Sequence, residues 1–141
     1  MKVFIPIAIT ACVFFGCHSE KPANCSQYRT GKFRYHFKDH WTQIDRHDSF
    51  QVQTNLTTGE EVLLKIEWLD SCDYTLSFLR SKRALPDSVE ALYRKSIMKT
   101  EILSGTSEYY IYRGSYNYDI PPIQDTIWVD RKNQTAIPTG L

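Results

Sequence analysis

At 141 residues, with 17 Lys and Arg against 16 Asp and Glu, the chain has room for one ordinary domain and almost no net charge. Lys2 is the only charged residue ahead of Cys17, so from Cys17 onward cations and anions balance. That balance excludes the clustered basic face on which nucleic-acid binding depends. The longest basic cluster, Arg80-Ser81-Lys82-Arg83, stands beside Leu85-Pro86-Asp87 and reads as a solvated strand end.

The chain opens with Lys2 followed by the apolar run Val3 to Phe15, interrupted only by Pro6 and Thr10. A run this short does not span a bilayer, which takes about 20 residues, so it reads as a targeting signal. Gly16-Cys17 resembles the lipobox of bacterial lipoproteins, with Phe14 and Phe15 where Leu and a small residue usually stand. The resemblance implies a signal peptide over 1–16, acylation of Cys17, and a short tether over 17–24 ahead of one globular domain over 25–141. The sparse acid after Cys17, only Glu20, points to the periplasmic leaflet of the outer membrane rather than to surface export. With Cys12 in the signal and Cys17 under lipid, Cys25 and Cys72 are left to bond to each other. Two separate buried thiols are the alternative.

From Tyr28 the pattern is that of strands. Phe33, Tyr35 and Phe37 alternate with Arg34 and His36. Trp41 to Arg46, Phe50 to Thr54, Glu61 to Leu69 and Cys72 to Leu79 follow, with Lys38-Asp39-His40, Gly59 and Asp70-Ser71 as turns. Asp87 and Glu90 are spaced as a capping pair for a helix over Ser88 to Ile97, with Val89, Leu92, Tyr93 and Ile97 on one stripe. Strands resume at Met98 to Leu103, Glu108 to Tyr116 and Thr126 to Arg131. The expected fold is mainly β (α+β): an antiparallel meander of seven to eight strands with one short helix packed on the sheet.

Three groups of motifs run through the first half in order. They are Cys25 with Thr30-Gly31-Lys32-Phe33, Ile44-x-Arg46-x-Asp48-Ser49-Phe50-Gln51, and Glu67-Trp68-Leu69-x-Ser71-Cys72-x-Tyr74-x-Leu76. In these the chain resembles a family of small, uncharacterised lipoproteins of Bacteroidota-type bacteria. The resemblance supports a Cys25–Cys72 bridge and implies no activity. Some members carry the label DNA topoisomerase IV, which does not fit a short, exported, neutral domain.

Candidate chemistry is thin. His36, Asp45 and His47 could share the outward face of the first hairpin, and two imidazoles with a carboxylate would suit a transition metal. Their spacing matches no established ligand motif, and a solvated hairpin is the plainer reading. There is no Gly-x-Ser-x-Gly elbow, His-Glu-x-x-His or phosphate loop, and Glu60-Glu61 point to opposite faces of a strand. No catalytic residue and no cofactor are therefore expected. Tyr110, Tyr112 and Tyr116 share strand parity and form a candidate row for a partner protein or glycan, or else fill the sheet. Asp87-Ser88-Val89 and Asp125-Thr126-Ile127 resemble an envelope O-glycosylation sequon. The sequence thus leads to a non-enzymatic binding or assembly module, lipid-anchored in the outer membrane. A small-ligand carrier of lipid or glycan and a metal-dependent enzyme at His36, Asp45 and His47 are its alternatives. A pocket lined by Trp68, Tyr74 and Phe78 would mark the carrier.

Overall fold

A computed structural model of the chain describes Pro22 and residues 24–133. The signal segment, Cys17 and most of the tether lie outside the described residues. Among these, eight strands form one closed antiparallel barrel in simple up-and-down order. They are β1 (Gly31–Phe37), β2 (His40–Arg46), β3 (Phe50–Asn55), β4 (Glu61–Trp68), β5 (Asp73–Ser81), β6 (Ile97–Gly105), β7 (Tyr109–Tyr116) and β8 (Ile123–Val129). The single α-helix, α1 (Asp87–Lys95), joins β5 to β6, and a 3₁₀ turn, Ser26–Tyr28, precedes β1.

The antiparallel meander is therefore the one the alternation predicts, and its closure is the addition. β1 meets β8 at Phe33–Val129 and Arg34–Trp128, and the Asp130 amide donates to the Lys32 carbonyl at 2.8 Å. Closure follows from the two-residue period. Phe33, Ile44, Ile66, Tyr74, Ile102, Tyr110 and Ile127 bury one parity of every strand but β3 into a single interior core. The opposite parity carries Arg34, Gln43, Asp45, Lys65, Glu67, Lys99, Glu101 and Arg113 outward. A mainly apolar interior and a charged exterior are the reverse of a membrane-spanning barrel. No described helix is long and apolar enough to cross a membrane.

The two ends of the barrel differ. At the end where the chain enters, the 3₁₀ turn lies across the opening like a plug, tied to the start of β5 by the Cys25–Cys72 disulfide. Tyr28 fills the space beneath it. Its hydroxyl donates to the Thr106 carbonyl at 2.6 Å, and its ring lies 4.7 Å from that of Tyr110. Gly105 is required here, because a Cβ at that position would run into the Tyr28 hydroxyl.

At the other end α1 rests on β5 through Tyr93, stacked 5.6 Å from Phe78, and buries none of its own residues. Asp87 does not cap it. Pro86 occupies the N-cap position, with its carbonyl accepting from Val89 and Glu90, and Asp87 is the first helical residue, where its charge suits the helix dipole. Glu90 turns instead to Arg94 at 2.6 Å, one turn on. Tyr28 also leaves the strand pattern, because it serves the plug rather than β1.

Candidate functional site

Between the plug and the helix the interior is not filled. A cavity of about 370 Å³ occupies the helix-side half of the barrel, at the lower end of the range for small-molecule sites. Every strand except β2 contributes an inward side chain, among them Tyr35, Gln53, Leu64, Leu76, Met98 and Tyr112. Tyr93 and Ser96 reach it from α1 and its C-terminal edge. The lining holds aromatic and aliphatic side chains with a few hydroxyls, one amide, and no charged residue. Its mouth is rimmed by Phe37, Tyr93, Tyr118 and Ile123, each 40–49 % exposed. Gly114 leaves room for the Met98 side chain, since a Cβ there would collide with the Met98 Cε.

The floor is polar. Arg46 is the last inward residue of β2 and is only 1 % exposed. Its Nε donates to Gln51 Oε1 at 2.9 Å, and its terminal nitrogens donate to the Tyr28 carbonyl and the Tyr74 hydroxyl, both at 3.0 Å. The rings of Tyr74 and Phe33 lie 4.9 and 5.0 Å from the guanidinium carbon. Burial opposes the charge, yet the oxygens of Tyr110 and Tyr74 outweigh it, and the Arg46 pKa is raised. Arg46 thus latches the plug to the barrel through the Tyr28 carbonyl.

Burial likewise pushes the Tyr110 phenol well above its ordinary range, with Arg46 pulling it back in part. Tyr112 is raised by burial and then by Asp125, its register partner on β8. These shifts carry a sign. Below about pH 10 folded and unfolded chains both keep these protons, and the full stability is present. Above it the unfolded chain releases protons that the folded barrel retains. Stability is then expected to fall by about 1.4 kcal/mol per pH unit for each such tyrosine. Urea midpoints across this range, read beside tyrosinate absorbance, check this. The ionisation of Tyr110 and Tyr112 should coincide with unfolding.

The structure redistributes the residues singled out from the sequence. Cys25 and Cys72 are bonded, with Cα atoms 5.0 Å apart. Tyr110 is wholly buried and Tyr112 is 7 % exposed. Their parity faces the barrel interior, so they form no surface row for a partner. Tyr116, on the same parity, lines the cavity near its mouth and stacks on Tyr118 at 5.2 Å.

The hairpin histidines do not converge. His36 pairs with Trp41 while Asp45 pairs with Lys32, which places His36 about 13 Å along the ladder from Asp45. His47 does approach Asp45, at 3.6 Å, but its ring stacks on Phe50. Among the described residues no group of three or more His, Cys, Asp or Glu could hold a metal ion.

Of the three aromatics named for a pocket, Phe78 lines the cavity, whereas Trp68 and Tyr74 pack on each other, 4.7 Å apart, and do not line it. Ser88 lies exposed in the first turn of α1, and Thr126 lies half-buried on β8. Arg46 and Gln51 went unmarked as functional residues, although an arginine on the inward parity of Thr42 and Ile44 was the available signal. No family model matches the chain, and no match appears among curated proteins.

Proposed function

We propose that this protein is a non-enzymatic carrier of a small, largely apolar ligand, held inside the barrel and exchanged through the mouth beside α1. The single observation that carries the reading is the cavity itself: an uncharged, aromatic-lined space open at one end of a barrel whose other end is plugged. A structural or docking domain of this size would be expected to fill its interior, because unfilled core volume costs stability. With Tyr110 in the core and Tyr112 and Tyr116 lining the cavity, the tyrosine row supports ligand contact rather than a protein interface.

The address in this proposal rests on the sequence of Met1 to Cys17, which supports a lipid-anchored protein of the outer membrane facing the periplasm. The chain enters the barrel at the plugged end, where the Pro22 carbonyl lies 3.2 Å from Cys72 Sγ. An anchor at Cys17 would therefore hold the protein by the end opposite its mouth.

Filling the cavity tests the function. Leu76 and Met98 are register partners on β5 and β6 and both line it. The double variant Leu76→Trp/Met98→Trp is expected to fold and to lose uptake of a neutral apolar fluorophore that the wild type binds. Equal uptake by both proteins would refute the carrier reading.

A further inference from the structure

The layer directly beneath the cavity carries more hydrogen-bond donors than acceptors, and a positive charge. Gln51 precedes the lining residue Gln53 by two positions on β3, and Tyr74 precedes Leu76 on β5. Thr100 follows Met98 on β6, and Tyr110 precedes Tyr112 on β7. On four strands, then, the inward side chain one step further from the mouth, about 7 Å along the strand, belongs to one floor layer, with Arg46 among them.

In that layer Gln51 Nε2 and Thr100 Oγ1 are buried without any hydrogen-bond partner, on residues 0 % and 1 % exposed. The three Arg46 bonds all run to uncharged acceptors and do not use every N–H of a guanidinium. No ion pair joins Arg46 to a carboxylate among the described residues. Buried charges are normally paired and buried donors normally satisfied. An anion with two acceptor oxygens would satisfy both unpartnered groups and balance the charge.

The upper cavity has the opposite character. Its lining carries no charge, and Asp125, in register with Tyr112 on β8, is exposed and lies outside that lining. An anionic group at that level would find no cation in the lining, whereas at the floor it would meet a guanidinium.

Building on the carrier reading, we propose that the ligand is a single-chain carboxylate, bound with its carboxylate on the floor beside Arg46, Gln51 and Thr100 and its hydrocarbon chain running toward the mouth. The carboxylate would accept from Gln51 Nε2 and the Thr100 hydroxyl and neutralise Arg46, while the chain contacts Leu76, Met98 and Tyr112.

The test is competition on the full-length chain, with decanoate, decanol and decyltrimethylammonium each displacing the neutral fluorophore N-phenyl-1-naphthylamine. Decanoate is expected to compete at about tenfold lower concentration than decanol, the scale of a charge-assisted hydrogen bond, and the ammonium least well. Arg46→Met should abolish that preference. Because removing Arg46 also weakens the fold, Thr100→Val serves as a second variant. It keeps the side-chain shape, breaks no existing hydrogen bond, and should lower the decanoate-to-decanol ratio by about threefold. A ratio near one, a preference for the ammonium, or a ratio unmoved by Thr100→Val would overturn the carboxylate assignment and leave the cavity reading standing. If neither the fluorophore nor any of the three amphiphiles binds, the carrier reading itself falls.

Discussion

Arg46→Ala is expected to destabilise the barrel by about 4 kcal/mol, which would be a large share of the total for a domain of this size. Two losses add. The Gln51 carbonyl oxygen, the Tyr74 hydroxyl and the Tyr28 carbonyl lose their donor in a buried setting, at roughly 1 to 3 kcal/mol for each group left unsatisfied. The void left among Phe33, Tyr74 and Tyr110 adds a packing loss, and partial relaxation of the plug recovers some of both.

Arg46→Lys should rescue little, because a lysine lacks the planar fork that reaches three acceptors at once. Arg46→Met retains most of the volume and should lose about 2 to 3 kcal/mol. Arg34 is the internal control. It points outward on β1, exposed, with its guanidinium 5.3 Å from the Trp41 ring, and Arg34→Ala should change stability by no more than about 0.5 kcal/mol. Urea unfolding of the four variants, compared at equal slope, checks the series. Equal effects at Arg34 and Arg46 would show that the latch does not hold the plug.

Removing the disulfide is the second large effect. Cys25 and Cys72 are 47 residues apart in sequence, and on the chain-entropy account closing a loop of that length contributes about 4 kcal/mol. Cys25→Ala/Cys72→Ala should therefore lower the melting temperature by about 15 °C, and a reducing agent should reproduce the loss in the wild type. The bridge also fixes the plug over the closed end, where Tyr28 and Arg46 depend on it. Its loss should accordingly free the Arg46 contacts, so that the disulfide and Arg46 variants are less than additive. Strict additivity would mean that the bridge and the latch act on separate structures.

Much of the barrel was legible in the sequence because its elements are defined locally. Alternation in Phe33-Arg34-Tyr35-His36-Phe37 and in Val62 to Trp68, punctuated by Asp39, Gly59 and Ser71, is enough to mark strands and turns. Closure is not local. It rests on Phe33 and Arg34 meeting Val129 and Trp128 from the far end of the domain, and the alternation reads the same in an open sheet. The tyrosine row shows the consequence. Parity correctly groups Tyr110, Tyr112 and Tyr116, but only closure decides whether that shared face is surface or interior.

The cavity was hidden for a similar reason. Leu76, Phe78 and Met98 look like ordinary core residues until seven strands are seen to hold them around a common space. The floor was nearer to hand, since Arg46 and Gln51 sit at inward positions where charged and amide side chains require a reason.

The most direct test of the carrier account is a fluorescence titration of N-phenyl-1-naphthylamine into the wild type and into Leu76→Trp/Met98→Trp. The account predicts a saturable rise with one site per chain for the wild type and only a weak, non-saturating rise for the filled variant. Saturable binding of the same strength in both would place the probe outside the barrel and contradict the claim that this cavity is the site.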